Sequence, residues 1–469
     1  MSSMERTYLF YDIETTGLNK AFDQVVQFAA IRTDQQLNEL ERYEYFIRLN
    51  PDVIPSPQAF ITHRLSLTQL EQGMDEFQAM KIIHDLVNTP GTTSIGYNSL
   101  GFDDEFLRFS FYRNLLPPYT HQYSNQCSRM DLYPMTVMYF LFKNDLLKWP
   151  ENNLKLENIS QLNALGSGMA HNAMVDVAAT LNLAKCFQQD VKTWEYLAGY
   201  FDKTIDLQRC HQVANDPMGI MIDGKFGANQ QYQAAVIPLG LHNHYKNQFV
   251  WLRIDNENIM QASSEDFLNH TRTINKKIGE PAWVLPLKDR FRHNYLLENR
   301  QKIETTFSWL EKNASLVEKV KQHYCNYKYP LIPSLDVDAS LYQAGFLSIQ
   351  DQEVCRKIHL AAPENKGKFL TSLSQNHLKE ILIRIMGRHF PNYLNHEQKE
   401  LFQNHLDTLK FQGDGGGHDY RGQKRFTAEN ALQEITTLAS QSLDEQQQTI
   451  LHELKQYLKN KFNLVDDCP

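Results

Sequence analysis

Residues 8–15, YLFYDIET, form a run that is almost wholly apolar until it meets two carboxylates one residue apart, Asp12 and Glu14. Such a run reads as a strand buried in a sheet. Alternate residues of a strand share a face, so Asp12 and Glu14 point one way while Tyr11 and Ile13 point the other. Two carboxylates held side by side raise each other's pKa unless a cation lies between them. Hard divalent ions take oxygen ligands of this kind, and Mg²⁺ is commonly held by one or two carboxylates plus substrate phosphate oxygens. On its own, the pair reads equally well as the solvated end of a strand.

The segments around this run predict its sheet. Three strands follow in quick succession, over 7–13, 25–32 and 43–48. The polar turns TTGLNKAFD and TDQQLNELE join them as an antiparallel meander. DEFQAMKIIHDLVN then places Phe77, Met80, Ile83 and Val87 at helical spacing, and TTSIGYN reads as a short strand. The pattern is helical from there to about residue 190. Short alternating runs follow, PMGIMIDGKFGA, YQAAVIPLGL and FVWLRIDN, as in a small β-rich domain. Helices return from about residue 296 and are amphipathic from residue 351. Within that last part, QGDGGGHDYRGQKR (412–425) lacks the G-K-[ST] ending of a phosphate-binding loop and reads as a flexible surface loop.

A chain of 469 residues exceeds one core and implies two or three domains. With 42% hydrophobic and 22% charged residues it is neither disordered nor fibrous. No stretch approaches the eighteen or so apolar residues of a membrane span, and MSSMERTYLFYD has no leader-like pattern, so a cytoplasmic, membrane-free setting is expected. The six cysteines lie far apart without a C-x-x-C pair, which indicates neither a zinc site nor a disulfide framework. A net charge of −8 excludes coating of nucleic acid by bulk electrostatics but leaves room for a local basic groove.

Two further stretches carry chemistry. In IGYNSLGFDDEF, Asp103 and Asp104 stand where a helix begins, and either one also reads as a simple cap. In AHNAMVDVAAT, His171 precedes Asp176 by five residues, a spacing that puts His171 in the loop and Asp176 in the first turns of the next helix. The pairs His84/Asp85 and His242/His244 are read as structural or solvated, the first on an amphipathic helix and the second in a turn between strands.

In this order and spacing, D-x-E, then Asp, then H-x(4)-D resemble the DEDDh 3′→5′ exonucleases, and DIETTG matches that family's first motif in full. QFAAIRTD, GYNSLGFDDEFLR, FYRN, DGKFGA and DVDASLY are similar to its bacterial exonuclease I branch. The likeness covers nearly the whole chain and weakens after residue 360. The GDGGGHDYRG loop departs from it, and Lys155 stands where an Arg is expected near substrate, giving a point charge rather than a bidentate fork.

The resemblance implies an α/β multidomain chain: a ribonuclease H-like mixed-sheet nuclease domain (1–190), an SH3-like β-rich domain with a helical extension (191–348) and a helical C-terminal domain (349–469). It implies that Asp12, Glu14 and Asp176 hold one Mg²⁺, that Asp12 bridges to a second completed by Asp103, and that Mn²⁺ can substitute. His171 is then the general base, with an ordinary pKa of about 6.5 suited to neutral pH. The implied activity is removal of 5′-mononucleotides from the 3′ end of single-stranded DNA, in repair and recombination. A basic track with aromatic rings guides such a strand. Besides Glu14, the candidates are Arg108, Arg113, Tyr119, Tyr123, Lys155, Lys203 and, in the basic run KDRFRHN, Arg290 and Arg292. The implied partner is single-strand DNA-binding protein, docking its acidic C-terminal tail on a basic patch, and a monomer is expected. Two other readings stay open: an exoribonuclease with the same chemistry, and an inactive nucleic-acid-binding scaffold.

Overall fold

The computed structural model describes residues 6–166, 172–255, 257–411, 413 and 417–463. The chain forms two compact units, one of residues 1–129, 167–178 and 331–469, the other of residues 130–166 and 179–330.

The first unit is organised by a five-stranded mixed sheet made of β1 (Thr7–Thr15), β2 (Val25–Thr33), β3 (Glu39–Phe46), β4 (Thr92–Gly96) and β5 (Ser128–Asp131), in the order β3-β2-β1-β4-β5. The expected meander is present: β1 pairs with β2 and β2 with β3, both antiparallel, while β4 joins β1 in parallel. Every residue of β2 is buried, as its unbroken apolar reading requires. On one face Leu9, Tyr11, Ile13, Val25, Phe28 and Ala30 pack with Met80, Ile83 and Val87 of the Glu76–Val87 helix and with Phe106, Leu107 and Phe111 of the Asp103–Arg113 helix. Val26 of β2 packs instead with C-terminal residues such as Ala431, Ile435, Leu451, Leu454 and Leu458.

Compactness therefore groups the chain differently from sequence character. Phe109, Tyr112 and Leu115 share one core with Ile358, Leu378, Ile381, Leu382 and Ile385, so the C-terminal helices complete the same unit that carries β1. The described part of the Gly-rich stretch is a surface loop, with residues 421–424 exposed, that is pinned at Asp419 and Arg425. His418 N–H donates to Ser334 O, Asp336 N–H donates to His418 O, and Asp419 and Arg425 are buried. Buried Asp419 accepts N–H groups from Asn19, Arg421 and Gln423 and so ties the loop to the turn after β1.

The second unit contains an antiparallel sheet of β6 (Gly219–Ile222), β7 (Gln233–Leu241), β8 (Gln248–Arg253), β9 (Thr273–Lys277) and β10 (Trp283–Pro286), in the order β10-β6-β7-β8-β9. Met221, Val236, Phe249, Trp251 and Val284 fill its core with Cys210 and Val213 from the Lys203–Ala214 helix. The Arg300–Lys312 and Ala314–Cys325 helices follow the sheet. Among the described residues no helix is long and apolar enough to cross a membrane.

Candidate functional site

The backbone of β1 delivers Asp12 and Glu14. Tyr11 and Ile13 are fixed in the core, which turns the two acids to the opposite face. The ladder to β2 runs to Thr15, but the ladder to β4 covers only Thr7–Phe10. At Asp12 and Glu14, β1 thus has a ladder partner on one side only among the described residues, and a gap of this kind beyond the carboxyl ends of parallel strands is where α/β sheets take ligands.

The rest of DIETTG holds the loop in place. Thr15 Oγ1 donates to Gly17 O at 2.7 Å, and Thr16 Oγ1 donates to Asp23 Oδ1 at 2.9 Å. Asn19 N–H donates to Asp23 Oδ2 at 2.8 Å. A Cβ on Gly17 would lie 2.5 Å from that carboxylate, so only glycine fits. Burial pushes the Asp23 carboxyl up to about 6, even though these hydrogen bonds and Arg113 favour its charged form.

Asp103 arrives from β4. A Cβ on Gly96 would meet the Ser99 side chain at 2.5 Å and Tyr11 O at 3.2 Å, so the chain leaving β4 passes close against β1. Asn98 takes a left-handed φ of 60°, and the helix starts at Asp103 without a side-chain cap. The ambiguity between the two aspartates is resolved here by charge. Asp104 is buried with Arg129 at 2.5 Å, His121 at 2.8 Å and Arg108 at 3.0 Å. Burial alone would raise its pKa, but these partners hold the carboxyl well below the usual range. Asp103, also buried, acts on Asp12 and Glu14 instead.

Asp176 stands in the first turn of the Ala173–Gln188 helix. Its N–H donates to Asn172 O at 3.1 Å, while Asn172 Oδ1 accepts from Met174 N at 3.2 Å. Oxygens of Asp12, Glu14 and Asp176 lie within 4.8 Å of one another. Burial, then Asp103, Glu14 and Asp176, push the Asp12 carboxyl well up. Glu14 is raised to about 8 by burial, then by Asp176 and Asp103. All the neighbours that shift these two groups are acids. Four carboxylates that disfavour one another's charge fit a divalent cation, the hard, oxygen-seeking partner that relieves all of them together. His171 lies outside the described residues.

The candidate DNA contacts divide. Arg113 is only 2% exposed, and its guanidinium donates to Ala21 O at 3.1 Å, Asp23 O at 2.7 Å and Glu76 at 3.0 Å. A side chain so enclosed cannot reach a strand in solvent. It buttresses the loop after Glu14, a correction to the sequence expectation. Arg108 is buried against Asp104 and lies 6.0 Å from the ring of half-buried Tyr119. Tyr123 is 67% exposed. In the second unit Lys155 and Lys203 are exposed, and Arg292 is half-buried beside Asp289 at 3.6 Å. Sequence reading passed over Leu18, 77% exposed on the loop just after the carboxylates. The available signal was an apolar residue in an otherwise polar turn, TTGLNK.

Two family models match the chain: "Exonuclease" over residues 9–184 and "Exonuclease I C-terminal domain" over residues 335–461. Mixed sheet, convergent carboxylates and the first of these models define an exonuclease that depends on divalent metal. Exodeoxyribonuclease I of Buchnera aphidicola subsp. Baizongia pistaciae is 30% identical over 432 residues, 86% of this chain and 88% of the relative. The enzyme of the same name from Escherichia coli K12 is 27% identical, over 86% of this chain and 89% of that one. The chain belongs to the exodeoxyribonuclease I family. Among solved structures, E. coli exonuclease I in complex with a dA16 oligonucleotide superposes with a TM-score of 0.86 at 24% identity, over 97% of this chain and 100% of that one. Exonuclease I from Methylocaldum szegediense gives 0.84 at 24% identity, over 97% and 100%.

Proposed function

We propose that this chain degrades single-stranded DNA from the 3′ end, releasing 5′-mononucleotides. Family membership supports that reading, and one observation carries its chemistry: Asp12, Glu14 and Asp176 converge within 4.8 Å, with Asp103 acting on two of them.

In this reading Asp12, Glu14 and Asp176 would hold one Mg²⁺, and Asp12 with Asp103 a second, with Mn²⁺ able to replace either. When bound, the ions supply Lewis-acid stabilisation of charge on the phosphoryl oxygens. His171, five residues before Asp176, takes the proton from the attacking water. The water oxygen bonds to the terminal phosphorus as the bond to the 3′ oxygen of the preceding nucleotide breaks, and that oxygen leaves to be protonated. Leu18, Tyr119 and Tyr123 offer surfaces for bases, Lys155, Lys203 and Arg292 supply charge for the backbone, and Arg108, taken by Asp104, backs the ring of Tyr119. Residues 1–190 carry the reaction, and 191–348 and 349–469 support the strand.

We further assign a monomer acting in the reducing cytoplasm in repair and recombination, with single-strand DNA-binding protein docked through its acidic C-terminal tail. Among the described residues the cysteines are free, which suits that compartment. The test is the product pattern from a 5′-labelled single strand with Mg²⁺, with and without chelator. A ladder shortened from the 3′ end, abolished by chelator, is expected, and faster loss of a matched RNA strand would replace DNA with RNA as substrate. His171→Ala is expected to lose rate by about 10²-fold or more while metal still binds. Loss of metal binding in that variant would make the histidine structural.

A further inference from the structure

The second unit also carries a surface to which none of the strand contacts named above belongs. The turn between β7 and β8 and the end of the Ala314–Cys325 helix are stitched together. Asn243 N–H donates to Cys325 O at 2.8 Å, Asn243 Nδ2 to Asn326 Oδ1 at 2.7 Å, and Tyr329 N–H to Tyr245 Oη at 3.0 Å. Buried His242 shapes the turn, its Nδ1 accepting from the N–H groups of His244 and Tyr245.

On this frame stand three tyrosines. The rings of Tyr245 and Tyr329 lie 5.3 Å apart, and those of Tyr327 and Tyr329 lie 5.5 Å apart at right angles. Tyr327 is 42% exposed and Tyr329 57%. The backbone beneath these rings is held by hydrogen bonds, the rings lean on one another, and both still face water.

The charge around them is one-sided. No Asp or Glu occurs from residue 241 to 254 or from 319 to 335, in a chain whose net charge is −8. Lys246 and Lys328 are exposed beside the tyrosines, and neither has an acidic partner among the described residues. Exposed aromatic rings interleaved with unpaired lysines suit a polyanion with flat faces: bases stack on rings without regard to sequence while ammonium groups meet phosphates. Rings ordered in advance lose little freedom on binding.

We propose that Tyr327, Tyr329, Lys246 and Lys328 form an accessory site for single-stranded DNA, separate in composition from the carboxylate site and holding a part of the strand that is not being cut. The proposal rests on single-stranded DNA being the substrate. A short strand that fills only the reaction site would not need it, and a long one would.

The experiment uses the full chain in chelator, with dye-labelled oligothymidylates of 6 and 30 nucleotides. Tyr327→Ala/Tyr329→Ala is expected to weaken binding of the 30-mer about tenfold and leave the 6-mer unchanged. Lys246→Gln/Lys328→Gln is expected to lower the slope of log affinity against log salt for the 30-mer by about 1.4. Hydrolysis of the 6-mer with Mg²⁺ stays at the wild-type rate in both variants, which also reports that they fold. If both variants bind the 30-mer as the wild type does, the proposal fails and the surface is left for a protein partner. If the wild type binds neither oligonucleotide, the substrate assignment itself fails.

Discussion

Two acid clusters in the first unit look alike by geometry and opposite by charge. Asp12, Glu14 and Asp176 bring oxygens within 4.8 Å of one another, and so do Asp52, Asp338 and His405 with their ligand atoms. At the second cluster Arg388 donates to Asp52 at 2.6 Å and to Asp338 at 2.5 Å, Arg384 donates to Asp338 at 2.8 Å, and His405 reaches Asp52 at 3.0 Å. Burial alone would raise Asp52 and Asp338, but the arginines hold both far below the usual range. At the first cluster burial and neighbouring acids push every resolved shift upward. Proximity of ligand atoms is therefore a poor guide to a metal centre. What separates the two is whether the protein has already supplied the cation.

The most forceful way to break this comparison is to remove one acid from the first cluster. Asp12→Ala should lower Mg²⁺-dependent hydrolysis by about 10³-fold or more while binding of a single strand in chelator persists. Retained turnover would end the nuclease reading. The matching operation on the second cluster removes its cation. Arg388→Met leaves Asp52 and Asp338 buried without their main partner and should cost about 3–5 kcal/mol of stability in urea titration, with activity per folded molecule unchanged. A variant as stable as the wild type would show that the arginine does not neutralise those acids.

A smaller contrast sharpens the same point between two adjacent residues. Asp103→Asn should cut hydrolysis by about 10–100-fold with little change in melting, because its carboxylate faces the acids of the site. Asp104→Asn should do the reverse, losing about 1–3 kcal/mol of stability by weakening its bonds to Arg129, Arg108 and His121. Equal effects of the two on activity would dissolve the distinction.

The sequence made the poles of this comparison unequally legible. Strand alternation is local, so the shared face of Asp12 and Glu14 follows from position alone. Asp103 and Asp104 are neighbours at a helix start, and no local rule separates them. Arg129 and His121, which claim Asp104, come from elsewhere in the chain. Arg113 failed as a DNA contact for the same reason, since Asp23 and Glu76 close over it only in the fold. The second cluster joins residues 52, 338 and 405, and nothing in a linear pattern brings those together. Helices and strands were readable because their periods are short, whereas the grouping of residues 331–469 with 1–129 depends on apolar faces meeting across hundreds of residues.

The mildest test is the pH dependence of stability without metal. Glu14 has a folded-state pKa of about 8 against an ordinary 4.5. The folded chain therefore holds this proton more tightly than the unfolded chain does, and the resulting stability is complete below about pH 4.5 and lost as pH rises toward 8. The carboxyls of Asp52 and Asp338 are shifted the other way, so their contribution is present above the ordinary aspartate range and disappears only as pH falls below it. Buried histidines such as His84, His359 and His389, held at about 4, act in the opposite sense, so the Glu14 contribution is read against Glu14→Gln: in chelator the wild-type melting midpoint should decline by a few degrees relative to that variant between pH 5 and 8. Saturating Mg²⁺ should flatten or reverse that decline, because an ion bound only by the folded state competes with the proton for the same oxygens. Asp12→Ala removes one of the repelling acids and should flatten the decline in chelator without any help from metal. A wild-type midpoint that climbs with pH relative to Glu14→Gln through this window in chelator would mean that the carboxylates of β1 are already neutralised by a cation of the protein's own, and the contrast between the two clusters would be lost.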